Sequence, residues 1–116
     1  MTEPIEVVEI VTTVAAEADA LRIADVLVRE RLVACANLAP CRSLYRWRGR
    51  IADEAEVQIA LKTTAARVSD VEHRLREIHP YETPAILRLP VQADPAYASW
   101  VADSVGADSP DGTELP

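Results

Sequence analysis

The sequence predicts a mixed α+β domain with the ferredoxin-like sandwich fold, in which two helices cover one face of a four-stranded antiparallel sheet. Three observations predict this fold. Strand-like and helix-like segments follow one another in the order strand, helix, strand, strand, helix, strand (βαββαβ). The two middle strands form one long hairpin, and both helical segments carry a wide apolar face suited to packing on a sheet. A short third helix follows the last strand, so the predicted domain covers residues 1–105.

The first strand and the first helix are predicted from the periodicity of apolar residues. Residues 5–14 are rich in Val, Ile and Thr and contain few charges, which suits a strand that is buried on at least one face. Residues 17–31 form the predicted first helix. Its apolar residues recur at helical spacing and include Ala20, Ile23, Ala24 and Leu27.

The predicted hairpin comprises residues 34–47 and 51–63, joined by a turn at Gly49, the only glycine among the first 105 residues. At about 3.3 Å per residue the first strand would be roughly 45 Å long if it were unbroken. A compact chain of about 100 residues has a radius of gyration of only about 13 Å. The strand must therefore bend, for which Pro40 is the candidate position, or project beyond its own domain. A projecting hairpin exposes unpaired strand edges, which predicts an oligomer.

The second helix is predicted to begin after Thr64, acting as the N-cap, or one turn later, where Ser69 and Glu72 form a capping box. It carries apolar residues at i, i+3, i+7 and i+10 in a charged background. Pro80 ends it, because the residue before a proline disfavours helical geometry.

The last elements of the domain are a strand over residues 85–91, bounded by prolines, and a short helix that begins at Pro95. Residues 106–116 are polar and contain two glycines and two prolines. We predict that they form a disordered C-terminal tail, because they have little apolar surface to bury.

The composition argues against several classes of partner. A net charge of −7, from 12 basic and 19 acidic residues, disfavours nucleic acid and anionic membranes as partners. Four arginines that alternate along the hairpin, Arg42, Arg46, Arg48 and Arg50, are better explained by ion pairs than by phosphate binding. The apolar runs are too short to span a membrane, and residues 1–6 have no basic region of a signal peptide, so we expect a cytoplasmic protein.

The sequence contains neither a Gly-rich phosphate loop nor a Cys-x-x-Cys motif. It also lacks a nucleophile and base at a recognisable spacing, and we therefore predict that the protein is not an enzyme. Its two cysteines, Cys35 and Cys41, suit a reducing compartment. If both lie on one extended strand they are roughly 20 Å apart, too far for a disulfide.

Three residues are candidate metal ligands. The thiolate of Cys35 is a soft donor suited to Cu(I), although a free cysteine is more often a small packed hydrophobe. His79 and Glu82 flank the turn at Pro80, and imidazole with carboxylate suits a borderline cation such as Cu(II) or Zn(II). The alternative for this pair is a histidine favoured by the helix dipole and an exposed carboxylate. His73, on the charged side of the second helix, is expected to be exposed.

Four further residues are candidates for an intersubunit cleft or interface. Tyr45, Trp47 and Tyr81 are large amphipathic side chains that either line a cleft or seal an interface. Lys62 is the only lysine, and unlike arginine it loses its proton readily when buried. We expect it to lie at a strand end near the turn that carries His79.

Three segments together resemble the CutA divalent-cation tolerance family. They are Ala34-Cys35-Ala36-Asn37 leading through Pro40 to Ser43-Leu44-Tyr45-Arg46-Trp47-Arg48-Gly49, then Lys62-Thr63-Thr64, and finally His79-Pro80-Tyr81-Glu82-Thr83-Pro84. Each motif is short, but their order and spacing are specific. The resemblance runs from about Val7 to Val105.

This resemblance implies a ferredoxin-like fold assembled as a homotrimer through the long hairpin, and a role in tolerance of copper or another divalent metal ion. The alternative function is a PII-like trimeric sensor that binds a small anionic ligand in the clefts between subunits. Lys62, His79 and the hairpin arginines would serve that alternative.

Overall fold

The computed structural model describes residues 4–106 and contains one four-stranded sheet and three α-helices. In chain order the elements are β1 (Val7–Val14), α1 (Glu17–Arg29), β2 (Cys35–Trp47), β3 (Arg50–Thr64), a 3-10 turn (Ala65–Arg67), α2 (Val68–Ile78), β4 (Leu87–Val91) and α3 (Pro95–Val105). The strand order is β2-β3-β1-β4, and every neighbouring pair is antiparallel. This confirms the predicted ferredoxin-like order. Within residues 4–106 no helix is long and apolar enough to cross a membrane.

The main core lies between the sheet and the two longer helices. Alternate residues of β1 point into it, as the period of two requires. Fully buried partners come from all three layers: Ile10, Val14, Ile23, Leu27, Ile59, Leu61, Val71 and Leu75. Both α1 and α2 therefore cover the same face of the sheet.

The opposite face of the sheet, which we call the open face, is covered by residues 4–106 only at one end. There Ala98 and Val101 of α3 pack against Val7 of β1. Val7 pairs with Val91, so Leu89 and Leu87 lie on this same face further along β4. Both of these leucines are exposed, which leaves an apolar strip on the open face beyond α3.

The hairpin is continuous and does not bend out of register at Pro40. The pairing runs without interruption from Cys35 opposite Lys62 to Trp47 opposite Arg50, and Pro40 lies opposite Val57. The proline is tolerated because β2 is an edge strand, where a missing N–H costs the sheet no hydrogen bond. Of the two predicted outcomes, a bend or a projecting hairpin, the chain shows the projecting hairpin. The molecule is therefore elongated, with principal extents of 53 × 25 × 23 Å.

The projecting part of the hairpin begins where β1 ends. Val14 pairs with Val57, so within the described part of the chain residues 41–47 of β2 and 50–56 of β3 pair only with each other; we call these residues the arm. Three large apolar side chains on it are mostly exposed, namely Leu44 (65%), Trp47 (58%) and Ile51 (62%).

A two-residue turn closes the arm. Arg48 and Gly49 both have positive φ, 49° and 76°. This is the left-handed geometry that the right-handed twist of a hairpin favours. The predicted turn also included Arg50, which is instead the first residue of β3.

The predicted helices are confirmed, with differences at their ends. Helix α1 stops at Arg29, two residues early, and Arg31 turns the chain with a φ of 58°. Thr64 makes no capping hydrogen bond, and a 3-10 turn separates it from α2. The predicted capping box also fails, because Ser69 already lies inside α2 and Glu72 bonds elsewhere.

The C-terminal elements follow the prediction closely. Helix α2 ends at Ile78, and His79 before the proline is extended. Helix α3 begins at Pro95, and the carboxylate of Asp94 caps it by accepting from the N–H of Ala96. Strand β4 is two residues shorter than predicted. The predicted tail, apart from its first residue, lies outside the described residues.

Candidate functional site

The turn that follows α2 holds a buried histidine whose two ring nitrogens are both hydrogen-bonded. His79 is 8% exposed. Its Nδ1 accepts the backbone N–H of Tyr81 at 3.0 Å. Its Nε2 lies 2.9 Å from Thr12 Oγ1 and 3.1 Å from the carbonyl oxygen of Thr13. A carbonyl oxygen only accepts, so Nε2 carries a proton. Because Nδ1 accepts a hydrogen bond it carries none, and the ring is neutral. Burial lowers the pKa of His79, which favours this neutral form.

Tyr81 connects this histidine to the arm. Its ring packs on the His79 ring at a centroid distance of 5.0 Å. Its hydroxyl donates to Glu56 Oε2 at 2.7 Å, and burial together with the carboxylate raises the pKa of Tyr81. Glu56 is the arm residue next to Val57, the last residue of β3 that pairs with β1. We call this set of contacts the His79–Tyr81–Glu56 chain.

Glu56 is a carboxylate that is buried yet stays charged. Burial alone would raise the pKa of Glu56, but hydrogen bonds from Ser43, Tyr81 and Thr13 lower it below its usual value. Glu56 as a whole is only 8% exposed. The root of the arm is therefore fixed by polar contacts from β1, from β2 and from the turn after α2.

The structure places both predicted ligands of the cation pair in this turn, but not as a preformed site. Glu82 is exposed, one residue after Tyr81. The lone pair of His79 is occupied by the Tyr81 amide. Among residues 4–106 no group of three or more His, Cys, Asp or Glu side chains is close enough together to hold a metal ion. One chain thus offers two donors, of which one is engaged.

Cys35 lies apart from this turn. It is the first residue of β2 and pairs with Lys62, which pairs with Glu9 of β1. His79 instead contacts Thr12, three residues or roughly 10 Å further along β1. The Cys35 thiol lies 3.3 Å from the Tyr97 hydroxyl, and burial together with this contact raises the pKa of Tyr97 to about 12.

Lys62 belongs to the Cys35 neighbourhood, and the expectation that it lies near His79 is wrong. Its ammonium donates to Asn37 Oδ1 on the adjacent strand. The sequence placed it near a strand end but gave no register, and the register assigns it to the opposite end of β1 from the turn. Both cysteines are free, in accord with their separation along one strand.

The aromatic residues of the arm, Tyr45 and Trp47, are both exposed. Tyr45 donates its hydroxyl to Glu54 Oε2 at 3.0 Å. Trp47 is exposed near the tip, where the Arg48 guanidinium lies 5.4 Å from its ring centroid. Both side chains are therefore available to another molecule.

One of the four arginines that alternate along the hairpin forms an ion pair, as predicted for this set. Arg42 binds both oxygens of Asp53 at 2.7 and 2.6 Å, across the two strands of the arm. Three others, Arg46, Arg48 and Arg50, are exposed. The tip of the arm therefore carries exposed cationic groups on a chain whose net charge is −7.

Sequence reasoning missed Glu56 and Thr12, the two side chains that hold the turn. Glu56 belongs to an alternating polar set on β3, and nothing in that pattern separates a buried carboxylate from a solvated one. Thr12 looks like an ordinary strand residue, although it is almost fully buried. Both contacts join residues far apart in the sequence, so the sequence spacing did not indicate them.

A family model described as CutA1 divalent ion tolerance protein matches residues 8–104. The chain belongs to the CutA family. Protein CutA of Mus musculus is 39% identical over 99 residues, which are 84% of this chain and 56% of the mouse protein. The divalent-cation tolerance protein CutA of Thermus thermophilus is 35% identical over 99 residues, covering 84% of this chain and 96% of its own.

Solved CutA structures share the fold. CutA from Synechococcus elongatus superimposes with a TM-score of 0.85 at 35% identity, over 90% of this chain and 95% of its own. CutA1 from Ehrlichia chaffeensis gives a TM-score of 0.84 at 33% identity, over 90% of this chain and 99% of its own. A structure described as the periplasmic divalent cation tolerance protein CutA from Archaeoglobus fulgidus gives a TM-score of 0.84 at 28% identity, over 86% of this chain and 99% of its own.

Proposed function

We propose that this CutA chain acts as a cytoplasmic homotrimer in the tolerance of divalent metal cations, and that the arm holds the trimer together. The projecting arm is the observation that supports assembly. Within residues 4–106, β3 has no partner on one edge over residues 50–56, and Leu44, Trp47 and Ile51 expose apolar surface. Such edges and patches are typical of interfaces. The subunit number of three rests on the family resemblance.

We propose the turn after α2 as the cation site, with copper as the first ion to test. His79 and Glu82 supply an imidazole and a carboxylate, donors that suit Cu(II) and Zn(II). The Glu82 side chain faces solvent, and His79 offers Nδ1 once the Tyr81 amide has moved away. Water or a second subunit would complete the coordination. Cys35, beside Tyr97, is the alternative ligand for Cu(I).

The proposed role is binding, not catalysis. The groups best suited to acid–base chemistry in the turn, His79 and Tyr81, are tied into buried hydrogen bonds. Catalytic acids and bases need a proton that they can exchange with a substrate.

A trimeric sensor of a small anionic ligand is the second candidate. It is favoured by the exposed arginines Arg46, Arg48 and Arg50 at the tip of the arm, whereas Arg42 is paired with Asp53. Lys62, on the open face beside Asn37, adds a further cationic group. Clefts between subunits in which these groups meet would suit a phosphate or a carboxylate ligand.

Calorimetric titration with Cu(II) and Zn(II) tests the cation site. We expect His79→Ala to abolish binding, and Cys35→Ser to leave it intact. His73→Ala is the matched control, because His73 is the only other histidine and is exposed on α2. Loss of binding in Cys35→Ser but not in His79→Ala would move the site to the thiol. No binding by wild type, together with an anionic metabolite retained in native mass spectrometry, would favour the sensor.

A further inference from the structure

We propose that the open face carries a binding site for a small zwitterion, of the chemical class of an apolar α-amino acid. In this site Lys62 holds the carboxylate of the ligand and Glu9 holds its ammonium. The inference goes beyond the cation role proposed above and uses neither His79 nor Glu82. It starts from two opposite charges that lie side by side on the sheet and do not pair with each other within residues 4–106.

The strand register fixes the positions of the two charges. Glu9 of β1 lies directly opposite Lys62 of β3 and, on its other side, directly opposite Leu89 of β4. Directly opposed residues of an antiparallel pair have Cβ atoms about 4.5–5.5 Å apart. Glu9 and Lys62 are both half-buried on the open face, next to the end that α3 covers. A single small ligand can therefore reach both charges.

Both charged groups keep the capacity to bind a ligand. The Lys62 ammonium reaches the neighbouring strand and donates to Asn37 Oδ1. An ammonium has more than one N–H donor, so Lys62 can hold Asn37 and a ligand together. Among the described residues, the Glu9 carboxylate has no hydrogen-bond or ion-pair partner. Its acceptor oxygens are thus open to a cationic group of a ligand.

The charges of the pair fit a zwitterion better than a simple ion. A divalent cation would meet the Lys62 ammonium, and a phosphate would meet the Glu9 carboxylate, so either ion would face a like charge at close range. An α-amino acid carries its carboxylate and its ammonium on one carbon, which matches two opposite charges on neighbouring strands. Charge-assisted hydrogen bonds of this kind are roughly twice as strong as neutral ones.

The surface beside the charges favours an apolar side chain on the ligand. Leu89 lies next to Glu9, and Leu87 lies two residues further along β4 on the same face. Both leucines are exposed, at 42% and 58%. Between Leu87 and β3 the open face is formed by Val11 and Ala60, which are directly opposed and half-buried. A ligand held by the charged pair would cover this apolar surface with its side chain.

Tyr97 bounds the site on the side of α3. Its hydroxyl lies 3.3 Å from Cys35 Sγ, and Cys35 is directly opposite Lys62. Burial and the thiol contact raise the pKa of Tyr97, and the negative charge of Glu9 adds to this shift, which shows that the carboxylate lies near the ring. The site is therefore bordered by α3 on one side and by the leucines of β4 on another.

The first experiment titrates the full-length protein with L-leucine at pH 7 and follows the backbone amide signals by NMR. We expect saturable shifts at Glu9, Ala60 and Lys62. N-acetyl-L-leucine lacks the ammonium and L-leucine methyl ester lacks the carboxylate, so each should bind at least about tenfold more weakly than L-leucine. Equal affinity for N-acetyl-L-leucine would overturn the zwitterion in favour of an anionic ligand. Equal affinity for the ester would overturn the role of Lys62.

The second experiment locates the site with two variants and a control. Lys62→Gln and Glu9→Gln should each lower the affinity for L-leucine at least about tenfold. Glu17→Gln is the matched control, because Glu17 is an exposed carboxylate on α1, which covers the opposite face of the sheet. It should bind as wild type does, and the amide spectrum of each variant checks that the fold is kept.

Unchanged affinity in either Lys62→Gln or Glu9→Gln would overturn the site. So would the absence of saturable shifts in wild type up to millimolar L-leucine. Neither result touches the cation proposal, which is tested by the separate titrations with Cu(II) and Zn(II).

Discussion

The two halves of the β2–β3 hairpin share one continuous ladder but have opposite surroundings. Near the base, Ile59 and Leu61 of β3 are fully buried under α1 and α2. In the arm, Leu44 and Ile51 are more than half exposed on the same two strands. Backbone pairing alone therefore does not explain the length of the hairpin. The base is held by its own core, and we expect a second molecule to cover the apolar side chains of the arm.

The largest expected effect is in the base. Leu61→Ala should lower the free energy of unfolding by about 3 kcal/mol, because it leaves a cavity under two helices. Denaturant unfolding at fixed protein concentration measures it. A loss below about 1 kcal/mol would show that the base is not held as a close-packed core.

The next largest effect is expected on subunit association, with the fold unchanged. Trp47→Ala should weaken subunit association by about 2 kcal/mol or more, because buried interface aromatics contribute most to binding. Sedimentation equilibrium measures the association, and circular dichroism checks that the fold is kept. Leu21→Ala is the control, since Leu21 is exposed on α1, away from the arm. Equal weakening by both substitutions would remove the special role of the arm.

The turn of the arm should show a smaller effect. Gly49 has a φ of 76°, and a Cβ added there would meet no atom within 4 Å. Gly49→Ala should therefore cost only its backbone strain, about 1 kcal/mol. Gly49→Asn should cost less, because asparagine tolerates this conformation. Thermal unfolding compares the two variants, and an equal cost would contradict the left-handed turn.

The smallest effect compares two bidentate ion pairs. Arg88 on β4 binds both oxygens of the nearly buried Glu72 on α2, whereas Arg42 and Asp53 pair in the exposed arm. The Arg88 guanidinium lowers the pKa of Glu72, so this stabilisation is present above its ordinary value of 4.5. It is lost as pH falls through the lowered pKa.

We therefore expect Glu72→Gln to lower Tm at pH 7 and to flatten the decline of Tm at acid pH. Asp53→Asn should lower Tm less, because exposed pairs contribute little. Melting curves between pH 3 and pH 7 would test both. A larger loss of Tm in Asp53→Asn would contradict the expectation that the buried pair between α2 and β4 stabilises more than the exposed pair of the arm.

The architecture was predictable because it rests on periodicity. Alternating residues on β3 and the projecting length of β2 follow from local patterns, and three short segments in a specific order carried the resemblance to the CutA family. Helix starts were less predictable, because Thr64 and Ser69 both fit a cap and neither forms one.

The candidate site was predictable only in part. The sequence placed His79 and Glu82 in one turn after α2, where His79 is buried and Glu82 is exposed. The bond from Tyr81 to Glu56 spans 25 residues and depends on how the end of β1 meets the turn. The register that separates Lys62 from His79 is likewise a tertiary property.

The most direct test of the account is the molar mass of the full-length protein in solution. Sedimentation equilibrium at micromolar concentration should give three times the chain mass of 12.7 kDa. Trp47→Ala should shift this equilibrium toward smaller species while keeping the circular dichroism spectrum. A stable monomer of wild type at these concentrations would contradict the claim that the arm exists to bind other copies of the chain.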